Sequence, residues 1–299
     1  MKYLAWTILF LLAISCQKDI EIKPDTAYEE QLFIEGILYP GKVPRIYVSR
    51  ALPFFQPEVA PQEVFARGAV VILTNRGVAL TLQADSVFDP FRCRWIPFYQ
   101  GGAVAQQGET YDLNISYRGK SYAASTTINQ AKVNISSVEY TEEFFDVYGG
   151  HDGVVIQLQD KAGEENYYRF QMNRMIDNDR LHAHTLGDVR SDCTNGNMFP
   201  ITDLGRTVFS DENIDGQLLI MAIEVSFEYK EGDSTWIFMQ SLDKRTAQFY
   251  KSVDSQLESI FNPFVEPVFI DSQIDGAIGV FGSAVLSDSV LFIYPQDNP

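Results

Sequence analysis

Apolar and polar positions alternate with a period of two through most of this chain, the pattern of strands that bury one face. The clearest case is GETYDLNISYRGKSYAASTTI, Gly108 to Ile128. Tyr111, Leu113, Ile115 and Tyr117 alternate with polar residues, Arg118-Gly119-Lys120 turns the chain, and Tyr122 opens the return strand. Earlier runs of the same kind are LFIEGILYP, PRIYVSRA, GAVVILTN, VALTLQADS and RCRWIPF. Asn75 to Gly77 makes a hairpin turn between the third and fourth. Roughly seven short strands at this spacing predict an immunoglobulin-like β-sandwich over residues 31–130, with Tyr111 a candidate tyrosine corner.

The second half, residues 131–299, reads as a larger β-rich domain. KVNISSVEYTEE, GVVIQLQD and NYYRFQMNRMI are strand-like, the last two joined by the turn Lys161-Ala162-Gly163. Residues 177–212 are polar and read as a long surface loop. GQLLIMAIEVSFEYK and STWIFMQSL are expected to pair as a hairpin across Glu231-Gly232-Asp233. PVFIDSQIDGAIGVFGSAV and SVLFIYP return to strands. The glycines of GAIGVFG, Gly276 to Gly282, lack dinucleotide-loop spacing, so packing and turns account for them. One segment changes period. After Asp243, the residues Tyr250, Val253, Leu257 and Ile260 recur at spacings of three and four. That predicts one amphipathic helix near 244–261, with Asp243 as N-cap and Pro263 as its stop. The fold class is therefore mainly β.

The first residues have a different grammar. Lys2 precedes an apolar run from Tyr3 to Ile14, which is shorter than the roughly 20 residues that cross a bilayer. A cation, a short apolar core and then small residues is the order of a signal peptide. Leu12-Ala13-Ile14-Ser15-Cys16 resembles the lipobox of bacterial lipoproteins, with Ala13 where that family normally has Leu, Val or Ile. The resemblance implies that residues 1–15 are removed and that Cys16 becomes an acylated N-terminus held by outer-membrane lipid, at about 0.8 kcal/mol per buried methylene. An ordinary secretory cut nearby, with Cys16 a bystander, fits the same residues. Residues 16–30 form a polar tether. Gln17-Lys18-Asp19-Ile20-Glu21 resembles the acidic tag that follows the cysteine in surface-exported lipoproteins of Bacteroidota, and solvation alone also explains it.

Charge narrows the partners. The chain carries 40 Asp and Glu against 23 Lys and Arg, a net −17, and cleavage after Ser15 removes only Lys2. Such a chain repels phosphate backbones, which excludes nucleic acid as a partner. Its 45% hydrophobic and 13% aromatic content supports real cores beyond the tether. With Cys16 lipidated, Cys93 and Cys193 remain, an even number in an oxidising compartment. They fit either a bridge between the two halves or two separate buried thiols.

Reactive motifs are few. The chain has no G-x-S-x-G elbow, P-loop or H-E-x-x-H helix, so no enzyme and no cofactor is expected. His182 and His184, with Asp188 near in sequence, offer imidazole and carboxylate to zinc or copper. A polar loop whose histidines face water explains them equally well, and no metal is favoured. Ser210-Asp211-Glu212-Asn213, and Asp271 with Asp275, have oxygen ligands for calcium, but turn formation is the cheaper account. Arg169 beside Tyr167 and Tyr168 suits a carboxylate or a sugar ring, while alternate strand residues with a buried ion pair fit too. Phe54 and Phe55, between prolines, would mark a contact surface if exposed.

The order of several motifs carries a wider resemblance. LFIEG, the GETYDLNISYRGKSYAA unit, NYYRF, FSDENIDGQ, the aromatic helix around Gln248-Phe249-Tyr250, and the run NPFVEPV through IDGAIGVFG together resemble a family of Bacteroidota outer-membrane lipoproteins with only a domain-of-unknown-function label. Genes of that family often neighbour TonB-dependent transporters. The resemblance implies a lipid-anchored outer-membrane protein facing the cell exterior. It would be a non-enzymatic accessory binding or docking subunit for such a transporter. It supplies no catalytic residue. A structural or adhesive surface protein without a transport partner is the other reading, and a hydrolase using scattered carboxylates the third. Mass spectrometry of the native protein is expected to find residue 16 as the N-terminus with a thioether-linked diacylglycerol. An unmodified thiol there, or a later start, would sink the anchor.

Overall fold

The computed structural model describes residues 28–52, 59–146, 149–177, 193–205, 208–223, 231–261 and 268–295. Its elements in chain order are β1 (Leu32–Leu38), β2 (Arg45–Arg50), the short α1 (Pro61–Val64), β3 (Val70–Asn75), β4 (Val78–Thr81), β5 (Gln83–Asp89), β6 (Arg94–Gln100), β7 (Thr110–Tyr117), β8 (Lys120–Thr127), β9 (Ile135–Asp146), β10 (Gly149–Gln159), β11 (Tyr167–Ile176), β12 (Phe199–Leu204), β13 (Phe209–Ser210), β14 (Leu218–Ile223), β15 (Ser234–Leu242), α2 (Lys244–Phe261), β16 (Ile278–Leu286) and β17 (Val290–Ile293). The mainly β expectation holds, in several sheets with no closed barrel. No helix among the described residues is long and apolar enough to cross a membrane.

A ten-stranded sheet in the order β12-β11-β15-β16-β1-β2-β6-β5, with β13 and β17 as side branches, organises the molecule. Its join is parallel: β16 pairs with β1, setting Gly279 opposite Ile34 and Gly282 opposite Ile37. The expected boundary near residue 130 is thus crossed by one continuous sheet. Two smaller sheets pack on one face of it. The sheet β4-β3-β7-β8 closes a core with β1 and β2 that includes Ile34, Ile46, Val48, Val71, Leu113, Ile115 and Phe281. The sheet β14-β10-β9 closes a second core with β11 and β15 that includes Val154, Ile156, Tyr168, Met172, Ile237 and Met239. The helix lies on the opposite face, over β16.

Local chemistry explains most of these elements. In β7 the residues Tyr111, Leu113, Ile115 and Tyr117 are buried and their neighbours exposed, as the alternation requires. The hairpin turns use positive φ, with Arg76 at 49° and Gly77 at 78° between β3 and β4. The Tyr111 hydroxyl accepts the Gln106 N–H at 2.8 Å, five residues upstream, the type of contact a tyrosine corner makes. Asp243 caps α2 by accepting the Thr246 N–H at 2.9 Å. The helix ends at Phe261, and Pro263 lies outside the described residues. Among its described side chains Thr246, Ala247 and Phe249 are buried, Tyr250 and Val253 are partly covered, and Leu257 is exposed.

Three expectations are corrected. VALTLQADS divides at Leu82 into β4 and β5, which belong to different sheets, because the Leu82 N–H donates to Val71 O while its side chain enters the core. The polar stretch 177–212 contains β12 and β13. Among the described residues β14 and β15 do not pair with each other: β14 pairs with β10, and β15 with β11, β16 and β17, while residues 224–230 of the expected hairpin lie outside the described residues. Burial gives the reason. In β14 the exposed Leu218 and Ile220 alternate with buried Met221 and Ile223, which suits a sheet covered on one side, whereas β15 is buried on both faces from Met239 to Leu242.

Cys93 and Cys193 form a disulfide, with Cα atoms 5.7 Å apart. Cys93 lies in the β5–β6 turn and Cys193 precedes β12, so the bridge joins opposite edges of the ten-stranded sheet. Phe91 packs there against Ile176, Phe199 and Ile201. The sheet therefore curves, and its helix-bearing face is concave.

Gly279 is where the parallel join is tightest. Its φ is +139°, and a Cβ there would lie 1.8 Å from Ile34 O. Gly279→Ala is expected to destabilise the protein by more than about 2 kcal/mol. Urea unfolding checks this, and a midpoint unchanged from wild type would show that the β1–β16 join tolerates a side chain.

Candidate functional site

A cavity of about 700 Å³ opens on the concave face. Opposite arms of the sheet supply its walls. From β1, β2 and β6 come Glu35, Ile37, Arg45, Tyr47 and Gln100, with Tyr39 and Lys42 on the loop after β1. From β11 and β12 come Arg169, Gln171, Thr202 and Leu204, and α2 contributes Tyr250. Strand periodicity puts them there. In β11 the odd-numbered positions Arg169 and Gln171 face the cavity, while Tyr168, Phe170 and Met172 face the second core.

The floor is a connected polar network. Arg169 Nε donates to Gln240 Oε1 at 3.0 Å. Gln240 Nε2 donates to Gln171 Oε1 at 3.0 Å and to the Tyr39 hydroxyl at 3.2 Å. Gln171 Nε2 donates to Asn173 Oδ1 at 3.0 Å, and the Tyr250 hydroxyl donates to Glu35 Oε1 at 2.7 Å. Arg169, Gln171 and Gln240 are all nearly inaccessible, so these bonds hold their geometry where water cannot replace them.

Three cations line the cavity, and each rests on an aromatic ring. The Arg169 guanidinium lies 4.0 Å from the Tyr250 ring centre, Arg45 lies 4.6 Å from that of Phe98, and Lys42 Nζ lies 5.2 Å from that of Tyr39. Desolvation lowers the Lys42 pKa from its ordinary value. Burial raises the pKa of Tyr39 and Tyr47, and raises that of Tyr250 well above the ordinary tyrosine value. These phenols therefore stay neutral donors at any physiological pH.

The residues expected from sequence divide here. Arg169 enters the cavity. Tyr168 does not: it is completely buried on the other face, with its hydroxyl donating to Asp160 Oδ1 at 2.5 Å. Tyr167 shares the Arg169 face but packs against Leu242, Ala247 and Ala284, with its hydroxyl bonded to Glu165. The buried ion pair considered for Arg169 is not formed, since Glu164 bonds Lys161 and Glu165 bonds Lys244. Cys16, Phe54, Phe55, His182, His184 and Asp188 lie outside the described residues.

The acidic turn is explained by hydrogen bonds. Carboxylate oxygens of Asp160, Asp211 and Asp215 lie within 4.8 Å of one another. Asp160 accepts the Gly216 N–H at 2.8 Å, Asp211 accepts Asn166 Nδ2 at 3.2 Å, and Asp215 accepts the Gly163 N–H at 2.7 Å. Together they pin the turn after β13 to the β10–β11 connection, as the turn reading of Ser210 to Asn213 implies.

Sequence reading missed Glu35, Tyr39, Arg45, Tyr47, Gln171, Gln240 and Tyr250. A signal existed: β11 reads apolar at Tyr168, Phe170 and Met172 and polar at Arg169, Gln171 and Asn173, yet it is buried on both faces. Polar residues on a covered face mark a network. Replacing Gln171 and Gln240 by leucine, singly and together, is expected to give a coupling energy of about 0.5–3 kcal/mol in a double-mutant cycle. Additivity within about 0.5 kcal/mol would show that the two amides act independently.

A family model described as a domain of unknown function, DUF4249, matches residues 17–288. No curated protein matches the chain.

Proposed function

We propose that this chain, which belongs to the DUF4249 family, is a non-enzymatic binding subunit displayed on an outer membrane through acylated Cys16, serving a TonB-dependent transporter. The observation that carries the binding role is the 700 Å³ cup, whose floor is held by hydrogen bonds among Arg169, Gln240, Gln171 and Tyr39. Preorganised polar groups in a concave site are what selective capture needs. The Cys93–Cys193 bridge supports export, because structural disulfides belong to oxidising compartments. The lipid anchor, the Bacteroidota setting and the transporter come from sequence resemblance.

An apolar strip supports docking. Trp236 on β15 pairs with Leu291 on β17, and Ser234 pairs with Ile293. Trp236, Leu291 and Ile293 are about half exposed, and they lie on the sheet face that holds the cup. An adhesive role without a transporter would use the same strip, so partner recovery separates the two readings. Purification from mild detergent is expected to recover the transporter with this protein. Trp236→Ser with Leu291→Ser is expected to reduce that recovery without shifting the thermal midpoint. Isolation of the chain alone across growth conditions would remove the transporter from the proposal.

A further inference from the structure

We infer that the cup takes a small organic carboxylate, with the anionic group between Arg169, Arg45 and Lys42 and the ligand body against Tyr39, Tyr47 and Tyr250. This rests on reading the cup as a ligand site and names the chemistry of its occupant.

Charge placement carries the inference. Acids outnumber bases 40 to 23 in this chain, yet the cup is lined by three cations and one carboxylate, Glu35. None of the three cations forms an ion pair among the described residues, and each lies over an aromatic ring instead. Arg169 is the decisive one. The residue is only 5% exposed, its Nε is bonded to a neutral amide, and its guanidinium carbon lies 4.0 Å from the Tyr250 ring centre. A guanidinium taken out of water is normally matched by a carboxylate, because removing its hydration costs several kcal/mol. Aromatic stacking and amide bonds offset part of that cost and leave the guanidinium without a direct ion pair among the described residues. The chain has forty acids, yet among the described residues none forms an ion pair with Arg169. Glu35 is the one carboxylate of the cup, and it forms no ion pair with Arg169: its Oε1 accepts a hydrogen bond from the Tyr250 hydroxyl, whose ring lies between the two.

The geometry selects the anion type. Arginine's planar fork matches a carboxylate through two parallel hydrogen bonds, and a concave site with an excess of positive charge, here three cations to one carboxylate, focuses its field on an entering anion. Arg45 and Lys42 are exposed at the mouth, where they steer, while Arg169 at the floor seats the charge. Tyrosine rings and the apolar Ile37, Val43 and Leu204 suit a ring-bearing body.

Titration calorimetry of the intact protein tests this with galacturonate and benzoate as probes, against galactose and benzamide as their neutral counterparts. At least one carboxylate is expected to bind, its neutral counterpart at least roughly tenfold weaker, and its affinity to fall with added salt. Arg169→Gln is expected to abolish binding. Should that variant fail to fold, the rim pair Lys42→Gln with Arg45→Gln, both exposed and outside the hydrogen-bonded floor network, is expected to weaken binding roughly tenfold at an unchanged thermal midpoint. Equal affinity for the neutral probe, full affinity in the rim variant, or no binding of either carboxylate would each overturn the inference. If galactose or benzamide binds and Thr202→Trp blocks it, the cup stands as a ligand site and only the anionic class falls. Recovery of the transporter in the detergent experiment is independent of every one of these outcomes.

Discussion

Everything in this molecule depends on β16 returning to lie parallel to β1. These strands are separated by most of the chain, and their pairing turns two half-sheets into one. The approach is so close at Gly279 that backbone atoms of β1 occupy the space a side chain would need. The same strand then receives the helix: Gly282 leaves room for Thr246 and Asp243, and the Asp243 carboxylate accepts the Ser283 N–H while capping α2. One strand thus seats the middle of the sheet, the helix and, through Tyr250, one wall of the cup.

Curvature is the second consequence. The two smaller sheets cover one face of the long sheet, so its other face is left to the helix and to polar side chains. A disulfide and a small apolar cluster draw the outer strands together at one end. The closure is by side chains, not by a hydrogen-bonded ladder, and this leaves an opening between β12 and the β2–β6 arm. A closed ladder would have filled that space with interior side chains. The cup follows from a sheet bent nearly far enough to shut.

The floor of the cup departs from ordinary core chemistry. Arg169, Gln171 and Gln240 occupy covered positions where apolar residues would pack at lower risk. Their mutual hydrogen bonds make the arrangement tolerable and rigid. Sites that break the rules of core composition are where function is expected.

The sequence alone determined the local structure: the alternation that made β7 and β11, the Arg76-Gly77 and Gly119 turns, the Asp243 cap, and the amphipathic period of α2. Each depends on neighbours a few residues apart, whose steric and hydrogen-bonding preferences are written in order along the chain. Arg169 was legible as a candidate for the same reason, being a cation on an alternating strand. Its company was not. Glu35, Tyr39, Arg45, Tyr47, Gln240 and Tyr250 come from five separate segments, and only the β1–β16 pairing and the bend of the sheet bring them to one place. Which strands share a sheet, as β14 and β15 show, is set by how many faces each must bury. That quantity belongs to the assembled molecule and to no single stretch of its sequence.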